Sequence, residues 1–145
     1  GMNDYFAVGM AIEAVLRDNM GDKLDKICSP FTVNDAATLK QKAVTAHVNL
    51  LPSDFGNESG NGARQAETQR WQVSLCFKTP TTAEQEQALR EKAGALVLAM
   101  RRLLQGADLG VVGAKPLKAV ANHTYLTEDC RFWIFATTYS VVCVV

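Results

Sequence analysis

Two histidines and four cysteines are the side chains here best suited to nucleophilic or metal chemistry. His47 lies in "VTAHVNLL" and His123 in "VANHTYLTEDC". Neither has a second His, Cys or carboxylate at the short spacing by which a helix or turn presents metal ligands, so no metal residue is assigned. Cys28, Cys76, Cys130 and Cys143 are widely spaced and contain no C-x-x-C pair. Cys76 or Cys130 could meet either histidine in space as a thiolate–imidazole pair. Cys76, however, sits between Leu75 and Phe77, where a thiol packs as a small apolar group. No G-x-S-x-G turn is present, and Glu84, Glu86 and Glu91 read as the solvated face of a helix. The expectation is no catalytic residue, no cofactor-binding residue and no enzyme activity.

A third candidate is "GNESGNG", which places Gly56, Gly60 and Gly62 within seven residues. A phosphate-binding loop needs backbone N–H groups followed by Lys and Ser or Thr at a helix start. Here Ala63 and Arg64 follow, and then the strand-like "QRWQVSLCFKT". The run is therefore expected to be a flexible loop over residues 52–65 joining two strands. "NES" also matches a glycosylation acceptor, but no secretory signal accompanies it.

Bulk properties narrow the classes further. The chain has 145 residues, with 48% apolar, 21% charged and 15 basic residues balancing 15 acidic ones. That length and composition predict one globular domain, residues 2–145, with Gly1 read as an expression scar. The zero net charge argues against a dedicated phosphate-backbone binder and leaves little self-repulsion to oppose association. No apolar run approaches the ~18 residues of a membrane span. The thiols are expected to be reduced, in a cytoplasmic setting.

The elements that would position these groups follow from periodicity. "NDYFAVGMAIEAVLRDNMG" predicts a helix capped by Asn3 or Asp4, with Tyr5, Val8, Ile12, Val15 and Leu16 on its apolar face and Gly21 as its stop. "NDAATLKQK" predicts a brief helix from Asn34. "VTAHVNLL" alternates as a strand that Pro52 ends, and in "RWQVSLCFK" Trp71, Val73, Leu75 and Phe77 share one face. Residues Gln65 to Gln69 extend its second arm. A long helix over Thr82 to Gln105 starts at a capping box of Thr81 and Glu84 and stops at Gly106. Its stripe of Leu89, Ala93, Leu96, Val97, Met100, Leu103 and Leu104 is wide enough to lie on a sheet. Leu117–Leu126 and Arg131–Val145 predict a second hairpin, turning at Thr127–Asp129. The last strand is apolar on both faces, so it is central in the sheet or covered by another subunit. The fold class is α+β: an antiparallel or mixed sheet of two hairpins, packed by one long helix and an N-terminal helix.

This layout resembles the tail-terminator and minor tail proteins of long-tailed bacteriophages and their prophages. The resemblance rests on the N-terminal helix, the strands "VTAHVNLL" and "RQAETQRWQVSLCFKT" around a long loop, the helix "AEQEQALREKAGALVLAMRRLLQG" and the closing strand "RFWIFATTYSVVCVV". It covers nearly the whole chain. It implies a structural protein without catalysis or cofactor that caps or completes a tail tube. Its partners would be itself, in a ring that is commonly a hexamer, and tail-tube or neck proteins. DNA would be met only by passage through a lumen, and no membrane is involved. The implied location is the cytoplasm of a bacterial host and then the virion tail. The loop and the last strand supply the expected subunit-interface residues: Ser53, Phe55, Asn57, Glu58, Arg64, Tyr139, Val141, Cys143 and Val145. Two alternatives stay open. One is a head–tail joining role; the other is a small-molecule-binding or enzymatic domain whose pocket gathers His47, His123 or Arg70.

Overall fold

The computed structural model describes residues 1–33 and 43–145; the helix expected from Asn34 lies outside them. In chain order the elements are α1 (Ala7–Met20), β1 (Lys26–Cys28), β2 (Val44–Ser59), β3 (Arg64–Lys78), α2 (Ala83–Leu104), β4 (Lys118–Leu126) and β5 (Phe132–Val144). The five strands form one mixed sheet in the order β1-β2-β3-β5-β4. β1 runs parallel to β2, and every other neighbouring pair is antiparallel. The α+β class and the two hairpins agree with the sequence.

β3 is the centre of the sheet because its alternation is the strongest in the chain. Trp71, Val73, Leu75 and Phe77 all point to the face covered by the helices and are buried. Across the sheet the paired residues Ala46 and Val48 of β2 and Tyr139 of β5 fall on the same face. Val8, Ile12, Leu16 and Met20 of α1, with Ala93, Leu96, Met100 and Leu104 of α2, complete this core. A second, smaller cluster of Cys76, Phe132, Ile134 and Ala136 lies on the reverse face.

The closest packing in the fold joins α1 to β3. A Cβ placed on Gly9 would stand 2.4 Å from Cζ3 of Trp71, so only glycine lets the helix approach the indole this closely. The indole N–H donates to Gln69 Oε1 (2.9 Å), and Gln69 Nε2 donates in turn to the Tyr5 carbonyl (3.0 Å). A polar relay thus fixes the entry of α1 to the central strand. Tyr5 is not part of the apolar stripe: the helix starts at Ala7, and Asp4 acts by accepting the Phe6 N–H (2.9 Å). At the other end Gly21 keeps right-handed geometry and leads into a 3-10 turn over Gly21–Lys23.

The start of α2 is one residue later than the capping box suggested. Thr82 is the cap, and its hydroxyl accepts the Gln85 N–H (3.1 Å). Gln85 Oε1 accepts the Thr81 N–H (2.8 Å), so Gln takes the reciprocal role assigned to Glu84. Gly106 follows the helix at φ +75°, the left-handed geometry of a helix stop.

Residues 52–65 differ from the expected loop. β2 continues through Pro52 to Ser59, and β3 begins at Arg64. Two register shifts, between Leu51 and Asp54 and between Phe55 and Glu58, absorb the irregular residues. Pro52 is tolerated because, among the described residues, no strand covers the outer side of β2 at that point and no N–H is needed there. The glycines act only at the turn, where Gly60, Asn61 and Gly62 all have positive φ.

The Gly9–Trp71 approach gives a direct stability test. In a helix interior Gly→Ala is worth up to ~1 kcal/mol of stabilisation, but overpacking a core costs about 1–3 kcal/mol. Gly9→Ala is expected to lower the free energy of urea unfolding by ~1 kcal/mol or more, since the buried indole cannot retreat. Gly94→Ala in α2, where an added Cβ meets open space, is expected to raise it.

Candidate assembly surface

Of the expected interface residues, those on the β2–β3 hairpin lie at the surface. Phe55, Asn57, Glu58 and Arg64 are exposed and Ser53 is half-buried. Phe55, at 68% exposure, is a large apolar side chain in water on the helix side of the sheet, since it pairs with Glu67 on the face that holds Gln69 and Trp71. Asn57 and Arg64 meet the chain end at Val144 and Val145 around a shallow depression of about 320 Å³. Arg70 and Asp54 form an ion pair on the opposite face of the hairpin.

The residues proposed on the last strand divide differently. Val145 is exposed, but Tyr139, Val141 and Cys143 are buried under the helices and offer no surface. They pair with Trp71, Gln69 and Glu67 of β3, which fixes them on the core face. The side chains that β5 turns outward are those of the other parity, Val142 and Val144.

The histidines and cysteines are dispersed. His47 Nε2 meets Thr45 Oγ1 at 2.8 Å on the reverse face, and burial, with Lys26 nearby, holds its pKa below 6.5. Cys76 is on that face too, and burial raises its thiol pKa, which keeps it in the unreactive neutral form. Cys28 and Cys143 are buried, and Cys130 alone is exposed. His123 stacks on Tyr125 at 4.6 Å between centroids, on the edge strand. Arg70 is committed to Asp54, so the three residues of a dispersed pocket are not brought together. Among the described residues no group of three or more His, Cys, Asp or Glu could hold a metal ion. No described helix is long and apolar enough to cross a membrane.

Two surface features were not singled out from sequence. The first is the outer edge of β4. Among the described residues it is the last strand of the sheet and pairs only with β5, and it is exposed along nearly its whole length. Arg101 in the last turn of α2 holds it in place, donating to Asn122 Oδ1 (2.7 Å) while Thr137 Oγ1 donates to the same oxygen (2.8 Å). The second is a groove of about 790 Å³ beside that edge. Trp133, Phe135 and Thr124 form its floor, and Leu89, Val97 and Leu98 line its helical wall. Phe77 stacks edge-on against Phe135 (5.6 Å), which fixes the floor to the core. An ion pair of Glu86 and Arg90 (3.1 Å) stands at its rim. Leu98, exposed and off the apolar stripe, is the available signal; Trp133 has apolar strand neighbours, a pattern that matches a core residue.

Neither a protein-family model nor a curated protein matches the sequence. Among solved structures the chain is similar to one in the "Virion of native gene transfer agent (GTA) particle", with a TM-score of 0.56. The two share a fold. The match covers 96% of this chain and 91% of that chain at 16% identity. It therefore takes in both hairpins and both helices rather than one supersecondary unit.

The buried titratable groups predict a plateau in stability. His47, with its pKa lowered, stays neutral in the fold, so stability is fully present above pH 6.5 and falls as the unfolded chain takes up a proton below it. Cys76 and Cys143, with raised values, favour the fold below pH 9.0 and lose that contribution as pH rises above it. Urea midpoints are expected to be level between these limits. The acid-side decline just below pH 6.5 should be smaller in His47→Gln, and an unchanged decline would assign it to the carboxylates.

Proposed function

We propose that the chain is a structural component of a phage-like particle, which closes or completes a tail tube as one subunit of a ring. The likeness that carries this reading is the fold shared, over nearly the full length of both chains, with a chain of a gene transfer agent virion. The sequence resemblance to tail-terminator and minor tail proteins points the same way. Self-association is physically reasonable for this chain: it has no net charge, and an exposed edge strand lies next to an apolar groove. In a ring the interfaces are heterologous, so two different surfaces of each subunit meet. Tail-tube or neck proteins are the further partners, and DNA passes through the lumen without base-specific contact. The site of action is the bacterial cytoplasm during assembly and the virion tail afterwards. Catalysis plays no part in this role.

A second reading rests on the groove, whose apolar floor and size suit a small apolar ligand. Light scattering after size exclusion, across protein concentration and salt, separates the two. The ring reading expects the mass to rise with concentration to one closed multiple of the monomer, six-fold being the leading case. A monomer at every concentration and salt would overturn self-assembly and favour the ligand.

A further inference from the structure

We propose that the subunits join edge to edge: residues 53–58 of β2 in one copy pair antiparallel with residues 122–126 of β4 in the next, and Phe55 enters the apolar groove of that next copy. This deepens the ring reading and rests on it.

The strand directions permit the junction. β2, β3, β5 and β4 alternate in direction across the sheet, so β4 beside the β2 of a second copy continues the alternation. The helices of both copies then stay on one side. Both edges are open where they would meet. Among the described residues β2 is covered on its outer side only at Thr45–His47, by β1, and β4 has no outer neighbour. Their unpaired N–H and C=O groups are ready partners for a further strand.

The register follows from the side chains. Phe55 lies on the helix face of its edge, and the groove opens on the helix face beside Thr124. Directly opposed residues share a face, so Phe55 opposite Thr124 sends the phenyl ring toward Trp133, Phe135 and Val97. In that register Ser53 faces Leu126, and Pro52, which has no N–H to donate, falls just past the end of β4. β1 then lies six residues further along, about 20 Å away at the rise of a strand, and does not obstruct the pairing. Charge agrees as well. The free stretch of β2 carries Glu58, and Asp54 already paired with Arg70, while β4 carries Lys118 and no acid. The register shift between Phe55 and Glu58 carries into the junction, so Glu58, which shares the helix face with its partner Gln65, falls opposite Asn122.

The test uses the full chain with Cys130→Ser, which removes the one exposed thiol. Ser53→Cys and Leu126→Cys in the same chain are expected to give, on mild oxidation, a ladder of disulfide-linked oligomers. Adding Phe55→Asp should lower the yield at least tenfold. A control with Ser53→Cys and Glu91→Cys, the latter on the outer face of α2, should give none. Oligomers in light scattering without the ladder would overturn this pairing and leave the ring reading standing. Neither oligomers nor ladder would overturn both, and an equal ladder from the control or from Phe55→Asp would overturn the register. The unsubstituted chain supplies an independent readout, because Trp71 is already buried while Trp133 is not. Its fluorescence should shift to the blue as mass rises with concentration. A rise in mass without that shift would count against occupation of the groove.

Discussion

The contact on which the rest of the structure depends is the approach of Gly9 to the face of Trp71. An indole in the middle strand of a sheet must be covered, and α1 can cover it only at a position with no Cβ. Once the helix is that close, Gln69 satisfies the indole N–H and reaches the Tyr5 carbonyl, so burial of the ring leaves no orphan donor. The same relay sets where the N-terminal segment lies. Its Met2 N–H donates to the Val144 carbonyl (3.0 Å), which ties the first residues to the end of the last strand.

That arrangement decides which parts of the sheet are left bare. α1 and α2 cover β3 and the core-facing residues of β2 and β5, while β4 and the outer half of β2 extend past them. Among the described residues, pinning the helices to the centre leaves the outer side of β4 and of β2 beyond β1 uncovered, and the groove forms where α2 stands over the β4–β5 margin. An open edge is a liability that folds commonly blunt with proline, bulges or charge. β2 carries all three, in Pro52, two register shifts and the acids Asp54 and Glu58. β4 carries one irregularity, between Ala119 and Ala121, and is regular from there to Leu126. The asymmetry suits edges that meet each other in one register rather than at random.

Much of this was legible in the sequence, for physical reasons that differ from element to element. β3 and α2 each bury a single face, so period-two alternation and a helical stripe identify them directly. β5 gave its existence but not its orientation. Val141 and Cys143 alternate with Val142 and Val144, and a strand apolar on both faces carries no parity signal. Only pairing with Gln69 and Glu67 shows which set is inside. The run from Pro52 to Gly62 misled in another way: glycine and proline mark breaks in a central strand, but an edge strand needs neither an N–H on its outer side nor a regular ladder. The groove was hidden because its floor and wall come from residues far apart in the chain, and each has a local explanation as core. Phe55, already singled out from the sequence, can be matched to the groove, as proposed, only once the sheet order is known.

Symmetry gives the last discrimination between ways of using these edges. Two copies could pair β4 with β4 around a two-fold axis, which would close the assembly at two. Each groove would then face its own equivalent, so two concave apolar surfaces would meet with no side chain to fill either. Phe55 would remain in water, and the outer half of β2 would keep its unpaired backbone. Joining β4 to β2 instead matches a concave surface to a protruding ring and an acidic edge to one without acids. It uses the outer side of β4 and the stretch of β2 beyond β1 in every copy, except at the ends of an open chain of subunits. Ends that still hold one bare edge each are removed only by closure, which is what the proposed ring would supply.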